Sequence, residues 1–395
     1  MDPREMTKTS LASPPPLLPE GTMINRHIAF VVESAHGHIN PTLGITEKLV
    51  QRGYRVTYAV TDYFAPRVIA CGAEAMLYRP METKQALFCE MQRNKGLEFE
   101  FDSERVDFRP FAQLHQQELE DTLSQLEGLY QNDKPNLIIY DRSNLPGKFL
   151  ALKWNIPAIE HCPMMIDVDN RDDYDTNLVI VSLPKLFQKN AEKLDMHFHF
   201  VGPIYNDVSV FKPWRADSSA EKTVLISATT GLLPQVEFYS IAIRAFEDLP
   251  WRIVLSIGDE LDPASLGPLP TNCEINQFSS QRRILECCCL FIGQGGPASI
   301  FEALRCGVPV LLIPPSRAHD IYARRVEELG VGIRLLRPTV SATSLRDSAE
   351  SLLEDRVVMK RVKQIQQAIG ETNAAEKAAN LIDQYIDLSG RGIRA

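Results

Sequence analysis

Two histidines, His36 and His38, sit two residues apart in the segment SAHGHINP (34–41), with Gly37 between them and Pro41 closing it. An imidazole near its ordinary pKa of about 6.5 is ready to take up a proton at neutral pH. A hydroxyl is a poor nucleophile until a base removes its proton as it attacks, and one such imidazole suits that work. At this spacing the side chains point in different directions, so at most one of them is the working base; a polar loop of satisfied imidazoles is the other reading. A second motif, GQGGPA (293–298), satisfies the G-x-G-x-x-A pattern of dinucleotide-binding turns and follows an apolar run. That turn normally belongs to the first strand–helix–strand unit of its domain, whereas this copy comes late in the second half, which argues against a nicotinamide enzyme. The consecutive cysteines Cys287, Cys288 and Cys289 would point about 100° apart on a helix and could not converge on one ion. They read as small apolar packing residues, and no metal site is expected.

The elements that would position these residues alternate along the chain. HIAFVVE reads as a strand, PTLGITEKLVQRG as an amphipathic helix, YRVTYAVT as a strand, DYFAPRVIACG as a short helix and AEAMLYR as another strand. A charge-rich helical stretch at 105–132 follows, then the strand NLIIYD (136–141), a helix near 146–154, and the strands IPAIEHC and NLVIVSLP. After the polar stretch KPWRADSSAEK (212–222) the pattern restarts with TVLISA, PQVEFYSIAIRAFEDL, RIVLSIG, CEINQF, CLFIG and VPVLLIP, and it ends on an amphipathic helix at 371–388. Short β-branched runs separated by helices indicate parallel βαβ units. The expected class is α/β, with two Rossmann-like, doubly wound domains facing across a cleft. The expected boundaries are a disordered arm at 1–24, a first domain at 25–213, a linker at 214–222, a second domain at 223–370, and a C-terminal helix and tail at 371–395. Ligands of such sheets sit outside the carboxyl ends of the strands, where the 34–41 loop is expected. Gly37 would permit a tight turn there, and Pro41 suits the first turn of the next helix.

A length of 395 residues, 44% hydrophobic and 24% charged, fits a globular protein of about two domains. The net charge of −9 and the lack of a long basic tract speak against a nucleic-acid partner. No run approaches the roughly 18 apolar residues needed to span a bilayer. Residues 1–22 hold charges and a proline run but no apolar core of a signal peptide. Eight cysteines without a C-x-x-C pattern fit a reducing cytoplasm.

The stretch HIAFVVESAHGHINPTLGITEKLVQRGYRVTYAV resembles the opening of the macrolide glycosyltransferases, a branch of the nucleotide-sugar-dependent family that includes the plant natural-product glucosyltransferases. ELGVGIRL adds a further match, and the likeness covers nearly all of residues 25–388. The resemblance implies a GT-B fold with the acceptor in the first domain and the donor in the second. It implies inverting transfer of a sugar from a UDP- or dTDP-sugar to a hydroxyl of a small natural product such as an antibiotic, with no metal and no cofactor beyond the nucleotide-sugar co-substrate. The family's general base is the histidine of a G-H-x-x-P loop, here His38, and the aspartate that orients it is Asp141, at the end of NLIIYD. A carboxylate on the far ring nitrogen fixes the tautomer and stabilises the imidazolium that forms. Capping of the following helix is the alternative role for Asp141. In the donor half, INQFSSQRRIL places Phe278 where an aromatic ring stacks on the nucleotide base and Gln281 where the family has a glutamine. In FIGQGGPASIFEAL, Gln294 replaces the usual histidine. Backbone N–H groups around Gly295 and Gly296 would cradle the diphosphate, with Ser299 adding a hydroxyl and Glu302 accepting from the ribose. Thr229 and Thr230 of SATTG stand where a phosphate-binding turn is implied.

Some positions depart from the family pattern. The acidic residue and glutamine that usually hold the sugar hydroxyls correspond to Ala318 and His319 or, shifted by one, to His319 and Asp320. Alanine offers no acceptor there, so a deoxy or otherwise modified sugar is expected in preference to UDP-glucose. The segment between Cys162 and Leu178 is short, and its acidic run from Asp167 to Asp175 would either attract a cationic acceptor or form a solvated loop. Two other classes stay open: a non-catalytic homologue serving as a partner subunit, and a sugar-nucleotide epimerase of the same fold. The expected partners are the donor nucleotide sugar and a small hydroxylated acceptor, without nucleic acid or membrane, for a monomer or homodimer.

Overall fold

The computed structural model describes residues 26–80, 109–170, 178–205, 214, 222–228, 235–258, 261–277, 280–370 and 372–392. The apolar runs become two parallel sheets. The first holds β1 (His27–Val31), β2 (Arg55–Val60), β3 (Glu74–Leu77), β4 (Leu137–Asp141), β5 (Ala158–Cys162), β6 (Val179–Val181) and β7 (Phe198–Phe200), in the order β3-β2-β1-β4-β5-β6-β7. The second holds β8 (Lys222–Ser227), β9 (Trp251–Ser256), β10 (Cys273–Asn276), β11 (Leu290–Gly293), β12 (Val310–Leu312) and β13 (Gly332–Arg334), in the order β10-β9-β8-β11-β12-β13. Every residue of β1 and β4 is buried. Helices cover both faces of a parallel sheet, which is why HIAFV and LIIYD read as continuous apolar runs. Each sheet reverses its winding once, between β1 and β4 and between β8 and β11. A crevice opens at such a reversal because the crossovers on its two sides leave toward opposite faces.

The helices are α1 (His36–Gln51), α2 (Ala65–Ala70), α3 (Arg109–Tyr130), α4 (Leu145–Trp154), α5 (Gln235–Phe246), α6 (Gln281–Leu285), α7 (Pro297–Arg305), α8 (Arg317–Leu329), α9 (Ala342–Glu354), α10 (Arg356–Gly370) and α11 (Ala374–Gly392). One expectation is corrected here. The 34–41 segment is not a loop that hands over to a helix at Pro41; α1 starts at His36, and Pro41 lies inside it. The N–H groups of His38 and Ile39 bond the Ala35 carbonyl at 3.0 and 2.9 Å. Proline removes one later helical bond. The buried stripe of Ile39, Leu43, Thr46 and Leu49 nevertheless carries the helix through it.

The two halves are joined by more than the linker. A buried apolar cluster mixes Cys162, Ile166 and Phe187 from the first half with Ile300, Phe301 and Tyr322 from the second. The Phe187 and Phe301 rings meet edge to face with centroids 4.7 Å apart. The Tyr205 hydroxyl donates to the Phe301 carbonyl at 2.9 Å. The last helix crosses back: Ala374, Ala378, Ala379 and Ile382 of α11 belong to the core of the first domain.

Candidate active site

The first switch point brings together the end of β4 and the start of α1. β1 and β4 are paired neighbours, so Asp141, the last residue of β4, lies beside the turn that leaves β1. His38 is the third residue of α1. Its Nδ1 lies 3.0 Å from Asp141 Oδ2, and the same oxygen accepts the Glu33 N–H at 2.8 Å. A carboxylate only accepts, so Nδ1 carries a proton, and in the neutral imidazole Nε2 keeps its lone pair. The His38 side chain is 17% exposed and that of Asp141 is 0% exposed, so the pair is shielded while the imidazole stays reachable. Burial pulls the imidazole toward its neutral form. The hydrogen bond and charge of Asp141, with Glu33 adding, outweigh it and raise its pKa above the ordinary value. Asn144 occupies the N-cap of α4, so Asp141 does not cap that helix.

His36 is engaged elsewhere. Its Nδ1 accepts from Arg67 Nη1 at 2.9 Å, and its Nε2 lies 3.3 Å from the Tyr63 hydroxyl. Its ring meets Tyr63 and Phe64 edge on, with centroids 5.7 and 5.0 Å away. The two histidines therefore face different neighbours, as their spacing implies.

The second switch point gathers most of the described donor-side residues. Gln294 is buried at the end of β11, Gly296 is the N-cap of α7, and Ser299 lies in its first turn. Gly295 has φ +92°, and a Cβ there would come 3.0 Å from the His319 carbonyl oxygen, so only glycine lets this turn pass so close to α8. Gln281 Nε2 donates to Glu302 Oε2 at 2.7 Å, which joins the start of α6 to α7. Burial pushes the Glu302 carboxyl up to about 7, although Gln281, Arg282 and Arg305 pull the other way. Tyr239 steadies the end of β8: its hydroxyl accepts from the Ala228 N–H at 2.9 Å and donates to the Ser256 carbonyl at 2.5 Å. Thr229, Thr230 and Phe278 lie outside the described residues.

The start of α8 separates its three candidates. Ala318 is exposed, while His319 is half-buried with Nδ1 2.8 Å from Ser316 Oγ. Asp320 points inward, where Arg324 Nε and Arg334 Nε donate to it at 2.7 and 2.5 Å. Burial alone would raise the Asp320 carboxyl, but the two guanidiniums hold it below the usual range. Of the acidic run, Asp167 accepts from Asn170 Nδ2 at 2.8 Å, and residues 171–177 lie outside the described ones. Among the described residues, no group of three or more His, Cys, Asp or Glu could hold a metal ion, and no helix is long and apolar enough to cross a membrane.

Residues 242–385 match the family described as erythromycin biosynthesis protein CIII-like, C-terminal domain. Over 93% of its length the chain is 35% identical to the NDP-glycosyltransferase YjiC of Bacillus licheniformis, all of which is covered. The chain belongs to the nucleotide-sugar-dependent glycosyltransferases. The oleandomycin glycosyltransferase of Streptomyces antibioticus is 29% identical to it, with 90% of each chain covered. The crystal structure of the calicheamicin glycosyltransferase CalG4 superposes on this glycosyltransferase with a TM-score of 0.76 at 29% identity, covering 92% of this chain and 99% of that one. The shared architecture is GT-B, two Rossmann-like domains with parallel sheets.

Sequence reasoning passed over three polar residues around this site. The Glu33 backbone N–H and the Tyr239 hydroxyl act through contacts that have no motif. His161, which faces the same site from β5, looks in the sequence like one polar residue in an apolar strand.

Proposed function

We propose that this glycosyltransferase moves a sugar, with inversion, from a UDP- or dTDP-sugar to a hydroxyl of a small natural product, with His38 as base and Asp141 as its partner. The observation that carries the reading is the 3.0 Å contact between His38 Nδ1 and a fully buried carboxylate at the first switch point. In the neutral imidazole it leaves Nε2 unprotonated and able to take the acceptor's proton. In this mechanism the acceptor oxygen attacks the anomeric carbon from the side opposite the nucleotide. The bond from that carbon to the diphosphate oxygen breaks, and its electron pair leaves with the diphosphate. The proton goes to His38 Nε2, and Asp141 stabilises the imidazolium. The N–H groups at the start of α7 face the growing charge on the leaving group. The His38–Asp141 contact supports catalysis over a non-catalytic partner subunit. Relatives named for oleandomycin and calicheamicin support an antibiotic-like acceptor. At the sugar end, Ala318 has no acceptor and Asp320 is held by two arginines. This supports His319 as the polar group there and a preference for a deoxy or modified sugar.

A panel of UDP-glucose and dTDP-deoxysugars, assayed with hydroxylated aglycones, tests both parts. Wild-type protein should transfer sugar, with a deoxysugar preferred over UDP-glucose. His38→Ala should lose about 10²–10⁴-fold in rate while still binding free nucleotide by calorimetry, and His36→Ala should lose far less. Normal transfer by His38→Ala would sink the assigned base, and a clear preference for UDP-glucose would sink the assigned sugar class.

A further inference from the structure

A second histidine faces Asp141 from the other side. His161, on β5, is paired in register with Asp141 on β4, and side chains of paired residues in a parallel sheet leave on the same face. Both residues are completely buried. Asp141 uses Oδ2 for His38 and for the Glu33 N–H, and its Oδ1 has no hydrogen-bond partner among the described residues. His161 uses Nε2 for the Ser182 hydroxyl, 2.6 Å away, and its Nδ1 likewise has no partner. One buried acceptor and one buried ring nitrogen are thus left over on neighbouring strands, about 4.8 Å apart in backbone spacing.

The protonation of His161 follows from its surroundings. Burial pushes the imidazole down to about 4, against the pull of the Asp141 charge and with His38 adding to the fall, so it is neutral at physiological pH. A neutral imidazole carries one N–H. If that proton were on Nε2, the buried Ser182 hydroxyl would accept it and its own O–H would find no acceptor among the described residues. The Nδ1 lone pair would then face a carboxylate. With the proton on Nδ1, the Ser182 O–H donates to Nε2, and Nδ1–H is a donor facing the free carboxylate oxygen. The Ser182–Nε2 bond is then formed, and although Nδ1 and Asp141 Oδ1 are not hydrogen-bonded in this structure, a small side-chain rotation would bring the N–H onto the free carboxylate oxygen, which low-dielectric burial favours.

We infer that His161, held in its Nδ1–H tautomer by Ser182, is a positioning residue that holds the second oxygen of Asp141 and so fixes the carboxylate that orients His38. This rests on the proposed role of His38 as base. His161 touches no substrate; it acts through Asp141, in a chain from Ser182 to His161 to Asp141 to His38. Among the described residues, the charged or titratable groups facing His38 are Asp141 from β4, Glu33 from the turn after β1 and His161 from β5.

Two measurements on the full chain test this. In a long-range nitrogen–proton spectrum of histidine-labelled protein, one imidazole should be neutral and protonated at Nδ1 from about pH 6 to 8, well above its depressed pKa, and should vanish in His161→Phe. A neutral Nε2–H pattern for that signal would overturn the inference. His161→Phe should lower kcat by about ten- to a hundredfold, the range known for outer partners of metal-bound histidines, with the nucleotide KM little changed. The acid limb of kcat should move to lower pH, because a carboxylate free to turn away no longer raises the His38 pKa. Ser182→Ala should act in the same direction and less strongly. A folded His161→Phe with unchanged kcat and limb, or with the limb moved to higher pH, would overturn the inference. Should His161→Phe not fold, Ser182→Ala and the tautomer spectrum decide the matter. If wild-type protein transferred no sugar, the functional reading would fall, while the tautomer and the His38 titration would still judge the positioning role.

Discussion

His38 works between two opposing pressures. Burial favours its neutral form, and the Asp141 carboxylate favours its charged form; the carboxylate prevails, so the pKa lies above the ordinary value. A base must be unprotonated to act, so transfer should fall as pH drops through that raised value. Asp141→Asn keeps the size of the side chain and removes the charge. The variant should fold, its acid limb should move to lower pH, and its kcat should fall because the developing imidazolium has lost its counter-charge. The pH dependence of kcat and kcat/KM checks this, and a limb that stays in place would separate Asp141 from the titration of His38. The loop holding His38 is legible in the sequence as the segment after an apolar run, while the choice of His38 over His36 and the pairing with Asp141 come from the family resemblance. The distance between His38 and Asp141 is not legible, because it depends on β4 lying next to β1, across 108 residues of chain between Asp141 and Glu33.

At the scale of elements, each switch point is a strand end aimed at a helix start, and the α6–α7 pair has its own titration. Glu302 stands at about 7 because burial penalises its charge. In its proposed role Glu302 accepts from a ribose hydroxyl, and the ionised carboxylate is the stronger acceptor, so nucleotide affinity should weaken as pH falls below about 7. Glu302→Gln should bind more weakly and lose that pH dependence. Calorimetry with UDP across this range decides it; a wild-type affinity flat in pH would remove Glu302 from the ribose contact. The free protein should show the opposite trend in stability. The folded pKa is raised above the ordinary value of 4.5, so between that value and about 7 the native state holds more protons than the unfolded chain. Stability therefore falls as pH rises through this window. The alternation of strands and helices was readable because parallel strands buried on both faces are continuous apolar runs. The start of α1 was not, since proline normally marks a first helical turn and here the apolar face runs upstream of it. β7 and β13 are edge strands, mostly half-buried and without the continuous apolar run that gives away the equally short β6 and β12. Asp320 reads in sequence as a possible sugar ligand, and only the fold reveals that Arg324 and Arg334 occupy it.

Over the whole molecule, the helix that carries His38, the proposed base, is pressed from behind by the last helix. Gly44, in the middle of α1, packs against Ile204, the Tyr205 carbonyl and Ala375, so close that a Cβ would come 2.8 Å from Ile204. Further along, Arg52 pairs with Glu376 at 2.5 Å and with Asp383, and the Tyr54 hydroxyl donates to Asp383 at 2.7 Å. The apolar seat of α11 is more important than these partly exposed ion pairs, each worth about 1 kcal/mol or less. Ile382 is fully buried in the first domain's core, and cutting such a side chain to alanine costs about 2–5 kcal/mol. For domains of this size each kcal/mol lowers Tm by about 2–4 °C, so Ile382→Ala should melt several degrees or more below wild type, and Arg52→Ala only slightly below. If nucleotide binds at the other switch point, as proposed, saturating UDP should raise both melting temperatures by a similar increment. Calorimetry with and without UDP reads both effects. A Tm that does not respond to Ile382→Ala would detach α11 from the first domain. A UDP increment lost in that variant would mean instead that α11 holds the proposed donor site as well as His38.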